Sequence, residues 1–205
     1  KLKDLNKYTR WERVRMAIEE LGPTFMKLGQ MLSNRSDLLN KELIFELEKL
    51  QDSSFEVPFE YIQSKVKEEL NGSIETYFAY FDETPLASAS IGQVHKAILI
   101  SGENVVVKVQ RPGIKKIITN DLAILKELAT LLSSYFIKNY NFDIFSYVVE
   151  FEKHIYKELN YLIEVGNMLR FETLLEGTEG VCVPKVYEDF CTEKIMVMEF
   201  VDGIK

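Results

Sequence analysis

The stretch TPLASASIGQVHKAILISGENVVVKVQRP (residues 84–112) decides the fold, because it combines a loop of small residues with two strand patterns. VVVKV, residues 105–109, is β-branched except at Lys108, which predicts a strand. Side chains alternate along a strand, so Lys108 shares a face with Val106. A lysine on a covered face is costly unless a negative group meets it. Two interpretations remain open here: an edge strand with a solvated Lys108, or a site where Lys108 meets an anion.

The composition is typical of a globular protein, with 46% hydrophobic and 28% charged residues in a chain of 205. The formal net charge of −7 disfavours a nucleic-acid partner, since such proteins usually carry a basic surplus. Two cysteines are too few for a disulfide scaffold, which favours a reducing compartment. Two histidines cannot build a His-rich metal site. No apolar run reaches the ~18 residues that span a bilayer, so we expect any membrane contact to be peripheral or outside this chain.

The amino-terminal third predicts helices, because apolar residues recur there at helical spacing. Gly22-Pro23 stops the first helix, and Pro23 can open the second. Gly29 lies inside the second helix at a cost of about 1 kcal/mol, which indicates close packing against the domain that follows. Asn71-Gly72 ends the fourth helix. The predicted helices cover residues 8–21, 23–39, 33–52 and 58–70, with the second and third overlapping at an undecided boundary.

The pattern then changes to alternation, which predicts about three antiparallel strands with a turn at SGEN, residues 101–104. Two helices over residues 114–136 and 144–176 follow, and then two short strands around a polar turn at residues 191–194. This order predicts an α+β fold with an antiparallel sheet of about five strands. His95, directly after the small-residue loop, is interpreted as structural.

The predicted helix over residues 144–176 carries acids that could meet Lys108, namely Glu152, Glu158 and Glu164. A buried Lys–Glu pair is by itself weak evidence for stability. Next to a bound phosphate the pair would have a functional role, because the lysine neutralises the anion and the glutamate holds the lysine in position. Small residues in PLASASIGQV would let backbone N–H groups approach phosphate oxygens. Together these features favour a phosphate site.

These motifs resemble those of the UbiB/AarF family of atypical, protein-kinase-like proteins. KLGQ (residues 27–30) is similar to the KxGQ signature of the family's helical extension. ASAS (87–90) is similar to the Ala-rich loop that replaces the kinase Gly-rich loop, and VVVK ends in the strand-three lysine. ELNYLIE (158–164) is similar to the ExD segment and the αC glutamate, and VMEFVDG (197–203) to a kinase hinge.

The resemblance implies a division into a helical extension, residues 1–75, and a kinase-like N-lobe with an αC-type helix, residues 76–205. It implies that Met198 is the gatekeeper, and that the Glu199 carbonyl and the Val201 backbone hold adenine. The implied catalytic residues are Lys108, Glu164, Lys27, Gln30 and Glu158. The implied nucleotide contacts are Ala87, Ser88, Ala89, Ser90, Val94, Lys108, Met198, Glu199 and Val201.

The resemblance also implies ATP or ADP with Mg²⁺ as cofactor. No metal ligand is assigned in this chain, because the catalytic-loop and metal-binding residues of a kinase are expected in a C-lobe beyond it. The implied partners are the adenine nucleotide, that C-lobe, and lipids or proteins of isoprenoid and quinone pathways. The implied location is the cytoplasm or the inner face of a membrane, on the matrix side of the mitochondrion in a eukaryote.

The function implied for the intact protein is an ATPase or small-molecule kinase that supports quinone or isoprenoid-lipid biosynthesis. The alternative is a nucleotide-responsive scaffold or pseudokinase in such a pathway. Asn160 stands where the family has the ExD aspartate and leans slightly toward the scaffold, since an amide supplies no charge. Ser88 stands where the family loop has its second alanine.

Overall fold

The computed structural model describes residues 7–50 and 56–203, which adopt an α+β fold. The described residues divide into two compact units. The helical unit comprises residues 7–50 and 115–155, and the sheet unit comprises residues 56–114 and 156–203. The helices are α1 (Arg10–Leu21), α2 (Pro23–Ser33), α3 (Lys41–Glu48), α4 (Phe59–Leu70), α5 (Ile74–Tyr77), α6 (Ile114–Tyr140), α7 (Ile144–Glu158) and α8 (Tyr161–Leu175). The strands are β1 (Phe78–Phe81), β2 (Ala87–Ser88), β3 (Gly92–Leu99), β4 (Asn104–Gln110) and β5 (Ile195–Glu199).

In the helical unit, α1 to α3 pack around a small apolar cluster. Thr9 and Glu12 form a reciprocal capping box that starts α1, and Gly22, with φ of 100°, separates it from α2. The cluster consists of Met26, Leu47 and Leu50, with Ile18, Leu32, Leu39 and Leu43 against it. A Cβ on Gly29 would collide with Leu50 and touch Leu47 and Ile18. Close packing at Gly29 is therefore confirmed, but its partners are α1, α3 and Leu50 within the helical unit rather than the following domain.

The third helix is shorter than predicted. It begins at Lys41, where the Asn40 side chain accepts a hydrogen bond of 2.8 Å from the Leu43 N–H. Residues 34–39 form turns in which Arg35 pairs with Asp37. The predicted helical start at residue 33 is therefore wrong, because local polar contacts compete with the helix there. The predicted end at residues 51–52 lies outside the described residues.

The sheet has the order β1-β3-β4-β5, with every neighbour antiparallel and β2 paired with β3. Strand β4 is therefore central, and the edge-strand interpretation of Lys108 is wrong. Val105, Val107 and Val109 point to one face and are fully buried in a core that includes Ile62 and Val66 of α4. Lys108 lies on the opposite face, opposite Val94 of β3 and Met196 of β5 in the register.

Two predictions about the carboxy-terminal part are wrong. The helix predicted over residues 144–176 is broken into α7 and α8, because Asn160 is extended and caps α8. Only one of the two predicted final strands forms. Its partner segment makes a single bridge, Val186 to Met198, before a 3₁₀ turn at Glu188–Phe190. The Lys185 N–H donates to the Glu199 carboxylate, so it is not available for the backbone hydrogen bond that would extend the strand pairing.

The two compact units do not coincide with the predicted division at residue 75. Helix α4 contributes Ile62 and Val66 to the core of the sheet, so it belongs to the sheet unit. Residues 115–155, which form most of α6 and α7, belong to the helical unit with α1 to α3. Among the described helices, none combines the length and apolarity that crossing a membrane requires.

Candidate functional site

An ion pair joins the middle of the sheet to α8. Lys108 Nζ lies 2.7 Å from Glu164 Oε2, and the side chains of the two residues are 20% and 42% exposed. Lys108 Nζ also lies 4.6 Å from the centroid of the Tyr161 ring. A pair with this exposure contributes at most about 1 kcal/mol to stability. The pair is therefore better suited to orienting a reachable ammonium group than to holding the fold together.

The sheet face that carries Lys108 also carries other residues predicted for the site. Val94 of β3 lies opposite Lys108 in the register. Met198 of β5 lies opposite Val106, which precedes Lys108 by two residues and is its neighbour on the same face of β4. Paired residues of antiparallel strands project to the same side, so these side chains form two adjacent rows. The structure thus brings together Val94, Lys108, Met198 and, through α8, Glu164.

The small-residue loop is held to β3 and β4 by an arginine that the sequence reading did not single out. Ala87 and Ser88 pair with Val94 and Gln93 of β3, and the Ala89 N–H donates to the Gly92 carbonyl at 2.9 Å. Arg111 donates from Nε to the Ala89 carbonyl at 2.8 Å. A second guanidinium N–H of Arg111 donates to Ser88 Oγ at 2.7 Å. The hydroxyl at residue 88 is therefore a partner of Arg111 in a way that an alanine could not be.

Arg111 is half-buried, and its burial lowers the pKa of its guanidinium from the usual value. Ser90, which was predicted to contact nucleotide, is fully buried, and its hydroxyl oxygen has no hydrogen-bond partner. Neither its side chain nor its backbone is exposed, so the structure does not present Ser90 to a ligand at the surface.

The hinge-like segment continues from the end of β5. The Glu199 N–H donates to the Lys185 carbonyl at 2.8 Å, and the Phe200 N–H donates to the Asn104 carbonyl at 3.0 Å. Lys96 Nζ lies 4.0 Å from the centroid of the Phe200 ring. Val201 is 50% exposed. The backbone at Glu199 and Phe200 is thus tied to the sheet, and Val201 follows as an accessible residue.

The other predicted catalytic residues are divided between the two units. Lys27 and Gln30 lie on α2 of the helical unit, where Gln30 Nε2 donates to the Leu50 carbonyl at 2.7 Å. Glu158 is the last residue of α7 and belongs to the sheet unit. Asn160 Oδ1 accepts from the Leu162 N–H at 3.0 Å as the N-cap of α8. The Asn160 side-chain amide therefore has a structural role, which is to cap the N-terminus of α8.

His95 is fully buried between Phe59 and Phe81. Its Nδ1 lies 2.8 Å from the Asp82 carbonyl oxygen, and its Nε2 lies 3.2 Å from Gln93 Nε2. Burial lowers the pKa of its imidazole from the usual value. These contacts support the structural interpretation of His95.

Gln110, two residues after Lys108, is a further residue that the sequence reading missed. It is 5% exposed, and its amide nitrogen is hydrogen-bonded to two carbonyl oxygens, those of Leu159 and Glu193. The available signal in the sequence was a polar residue two positions after Lys108, on the same strand face, at the end of a run rich in valine. Across residues 7–50 and 56–203, no three His, Cys, Asp or Glu side chains form a group that could hold a metal ion.

Comparison with known proteins places this arrangement in a family. The family model described as the ABC1 atypical kinase-like domain matches residues 49–205. The chain is 43% identical over 199 residues to a probable protein kinase UbiB of Pseudomonas aeruginosa, covering 96% of this chain and 37% of that protein. It is 41% identical over 195 residues to the protein ACTIVITY OF BC1 COMPLEX KINASE 7, chloroplastic, of Arabidopsis thaliana, covering 94% of this chain and 28% of that protein.

A solved structure is also similar. It is the complex of Rv3197 with erythromycin from Mycobacterium tuberculosis, with a TM-score of 0.62 and 29% sequence identity. The match covers 72% of this chain and 37% of that one. The chain spans between about a quarter and two fifths of the length of these relatives, from 28% to 37%.

Proposed function

Since the chain belongs to the ABC1 atypical kinase-like family, we propose that its sheet unit binds the phosphates of an adenine nucleotide for an ATPase or small-molecule kinase. The observation that carries the proposal is the 2.7 Å ion pair between Lys108 and Glu164. It joins the central strand to the first turn of α8, which is the arrangement that kinases use to present a lysine to phosphates.

The residues around Lys108 fit an anionic ligand. The Lys108 side chain is 20% exposed, so its ammonium group can be reached from solvent. The ion pair with Glu164 fixes the direction in which this ammonium group points. The loop of Ala87, Ser88 and Ala89 has small side chains, so its backbone can approach phosphate oxygens closely. Arg111 adds a second positive charge against that loop. Because the chain as a whole carries a net charge of −7, an anionic ligand has to be attracted by local positive charges such as those of Lys108 and Arg111.

ATP with Mg²⁺ would supply the transferable phosphoryl group at such a site. Lys108 would neutralise phosphate charge, and Met198, Glu199 and Val201 would form the adenine side of the pocket. The residues that hold Mg²⁺ are proposed to lie in the C-lobe of the complete protein, as the family resemblance implies. Lys27, Gln30 and Glu158 are proposed to act in the same reaction, as the family resemblance implies.

The proposed pathway is quinone or isoprenoid-lipid biosynthesis, with lipids or proteins of that pathway as partners. Support comes from the family resemblance and from the relatives, one of which is named a probable protein kinase UbiB. The proposed location is the cytoplasm or the inner face of a membrane. Because the chain covers 37% of that relative, the activity of the complete protein is part of the proposal.

The test is the affinity of the complete protein for ADP in a double-mutant cycle at the ion pair. Lys108→Ala and Glu164→Ala should each weaken ADP binding about tenfold or more, because either change removes or misdirects the ammonium group. The double variant should lose little beyond the larger single effect. Additive losses would show that the two residues do not act as a pair at the nucleotide.

A matched control is available in the helical unit. Lys126 and Glu152 form an ion pair of 2.6 Å with side chains that are 36% and 25% exposed. Lys126→Ala therefore removes a comparable lysine from a comparable pair. We expect wild-type ADP affinity in this variant. An equal loss in Lys126→Ala and Lys108→Ala would mean that the effect reports general damage.

The scaffold alternative keeps one supporting observation, since Asn160 caps α8 without supplying charge. Steady ATP turnover by the complete protein distinguishes the two functions. Turnover that is lost in Lys108→Ala supports the enzyme. ADP binding without turnover supports the nucleotide-responsive scaffold.

A further inference from the structure

We propose that Gln110 is a positioning residue, which fixes the first turn of α8 against β4 and so holds Glu164 on Lys108. The inference rests on the proposed function, because it concerns the regulation of the same ion pair. It adds the claim that the position of α8 is determined by a buried amide rather than by the ion pair.

The contacts of Gln110 connect three parts of the sheet unit. Its Nε2 donates to the Leu159 carbonyl at 2.5 Å, at the break before α8. The same nitrogen donates to the Glu193 carbonyl at 3.0 Å, in the turn before β5. An amide nitrogen carries two N–H donors, so both are used on backbone acceptors. Gln110 is 5% exposed, which means that water cannot easily replace either bond.

The same end of α8 has two further anchors. The Tyr161 N–H donates to the Glu193 carbonyl at 3.1 Å, so this carbonyl receives both Tyr161 and Gln110. The Tyr161 ring is fully buried, and its hydroxyl lies where a Cβ on Gly92 would collide with it. Glu164 follows Tyr161 by three residues, within one helical turn.

The energetics indicate that the Gln110 hydrogen bonds determine the position of α8, and that the ion pair forms as a result of that position. The side chains of the Lys108–Glu164 pair are 20% and 42% exposed, so solvent screens the pair and its net contribution to stability is small. The buried hydrogen bond from Gln110 to the Leu159 carbonyl is costly to lose, because this acceptor would remain desolvated after losing its partner. The placement of an αC-type helix determines whether the lysine is oriented. Gln110 therefore holds the helix in the position in which Glu164 can reach Lys108.

Gln110→Met tests this with nearly unchanged volume and no donor. The matched control is Gln93→Met on the neighbouring strand β3. Gln93 is also fully buried, and its amide bonds the Val57 backbone, accepting from N–H at 2.6 Å and donating to the carbonyl at 3.4 Å. Both variants thus remove a buried amide from the same sheet, but only Gln110 contacts the start of α8.

The first readout is hydrogen exchange in the complete protein without nucleotide. In Gln110→Met, the amides of residues 160–164 should exchange about tenfold faster, because the Leu159 and Glu193 carbonyls at the start of α8 are no longer held by the Gln110 amide. In Gln93→Met these amides should keep wild-type protection. Wild-type protection in Gln110→Met, or equal loss in both variants, would overturn the proposal. This readout is independent of whether the protein binds ADP.

The second readout is the effect of Glu164→Ala on ADP affinity in three backgrounds. In the wild-type and Gln93→Met backgrounds the loss should be about tenfold, and in Gln110→Met it should shrink to about twofold. A tenfold loss in Gln110→Met would refute the positioning role. The absence of ADP binding by the wild-type protein would refute the proposed function instead and leave the exchange result to decide on Gln110.

Gln110→Glu serves where the methionine variant does not fold. A protonated glutamic acid can donate one hydrogen bond to these carbonyls, whereas a carboxylate can donate none. Relative to wild type at the same pH, exchange at residues 160–164 should therefore accelerate as the pH rises from 5 to 9. A ratio that does not change with pH would contradict the proposal.

Discussion

Two glycines inside helices should respond to alanine with opposite signs. Gly29 lies in α2 and Gly166 lies in α8. Both replacements add the same methyl group and improve helix propensity by about 1 kcal/mol. The neighbours of the new Cβ differ, so the comparison isolates packing from propensity.

At Gly166 no atom lies within 4 Å of the position that a Cβ would take. The gain in propensity is therefore unopposed, and Gly166→Ala should stabilise α8 by about 1 kcal/mol. At Gly29 the Cβ would collide with Leu50 Cδ1 and lie 3.4 Å from Leu47 Cδ2 and 3.6 Å from Ile18 Cγ2. Leu50 is 2% exposed, so its methyl group cannot retreat into solvent.

Overpacking of such a site costs about 1–3 kcal/mol. After the propensity gain is subtracted, Gly29→Ala should destabilise α2 by about 1 kcal/mol. Hydrogen exchange measured separately over α2 and α8 converts these values into changes in protection. A change of 1 kcal/mol corresponds to about fivefold, slower in α8 for Gly166→Ala and faster in α2 for Gly29→Ala.

A Gly29→Ala variant whose α2 is as protected as in wild type, or more so, would refute the predicted packing cost at this position. That result would mean that Leu50 adopts another rotamer at no cost. Faster exchange in α8 of Gly166→Ala would refute the other half, since it would require a contact at that position that the structure does not contain.

Two further predictions concern titratable groups. Because burial lowers the pKa of His95 below its unfolded value, the unfolded state takes up a proton first, and stability should fall as the pH drops below about 6.5. Urea unfolding between pH 7 and 5 should show a smaller loss of stability in His95→Gln than in the wild type, and an equal loss in both would contradict the prediction. Glu46 is 7% exposed and receives hydrogen bonds from Lys49 at 2.5 Å and Arg15 at 3.0 Å, so Glu46→Gln should lower stability by about 2 kcal/mol at pH 7. Its bond to Lys49 holds the pKa of Glu46 below the usual range, so this difference is present above pH 4.5 and should vanish as the pH falls further; a constant difference would contradict the assignment.

Local signals in the sequence were sufficient for several elements of the fold. The Gly22-Pro23 stop, the start of α2 at Pro23 and the left-handed Asn71 at the end of α4, with φ of 60°, depend on neighbours in the chain. The strand pattern around Lys108 and its possible acid partners could likewise be read from the sequence. The family resemblance selected Glu164 among those acids, and the structure places Glu164 on Lys108.

Other features depend on contacts that are distant in sequence, and only the tertiary structure decided them. The break between α7 and α8 is stabilised by the Gln110 bond to Leu159, 49 residues away, and residue periodicity contains no trace of it. The first of the two predicted final strands is replaced by a single bridge and a turn, because the Glu199 carboxylate accepts the hydrogen bond of the Lys185 N–H. Arg111 acquired its place at the small-residue loop in the same way. Sequence patterns indicate which residues can share a face of a helix or strand. Which of them contact each other is decided in the tertiary structure, because polar groups that become buried there need hydrogen-bond partners.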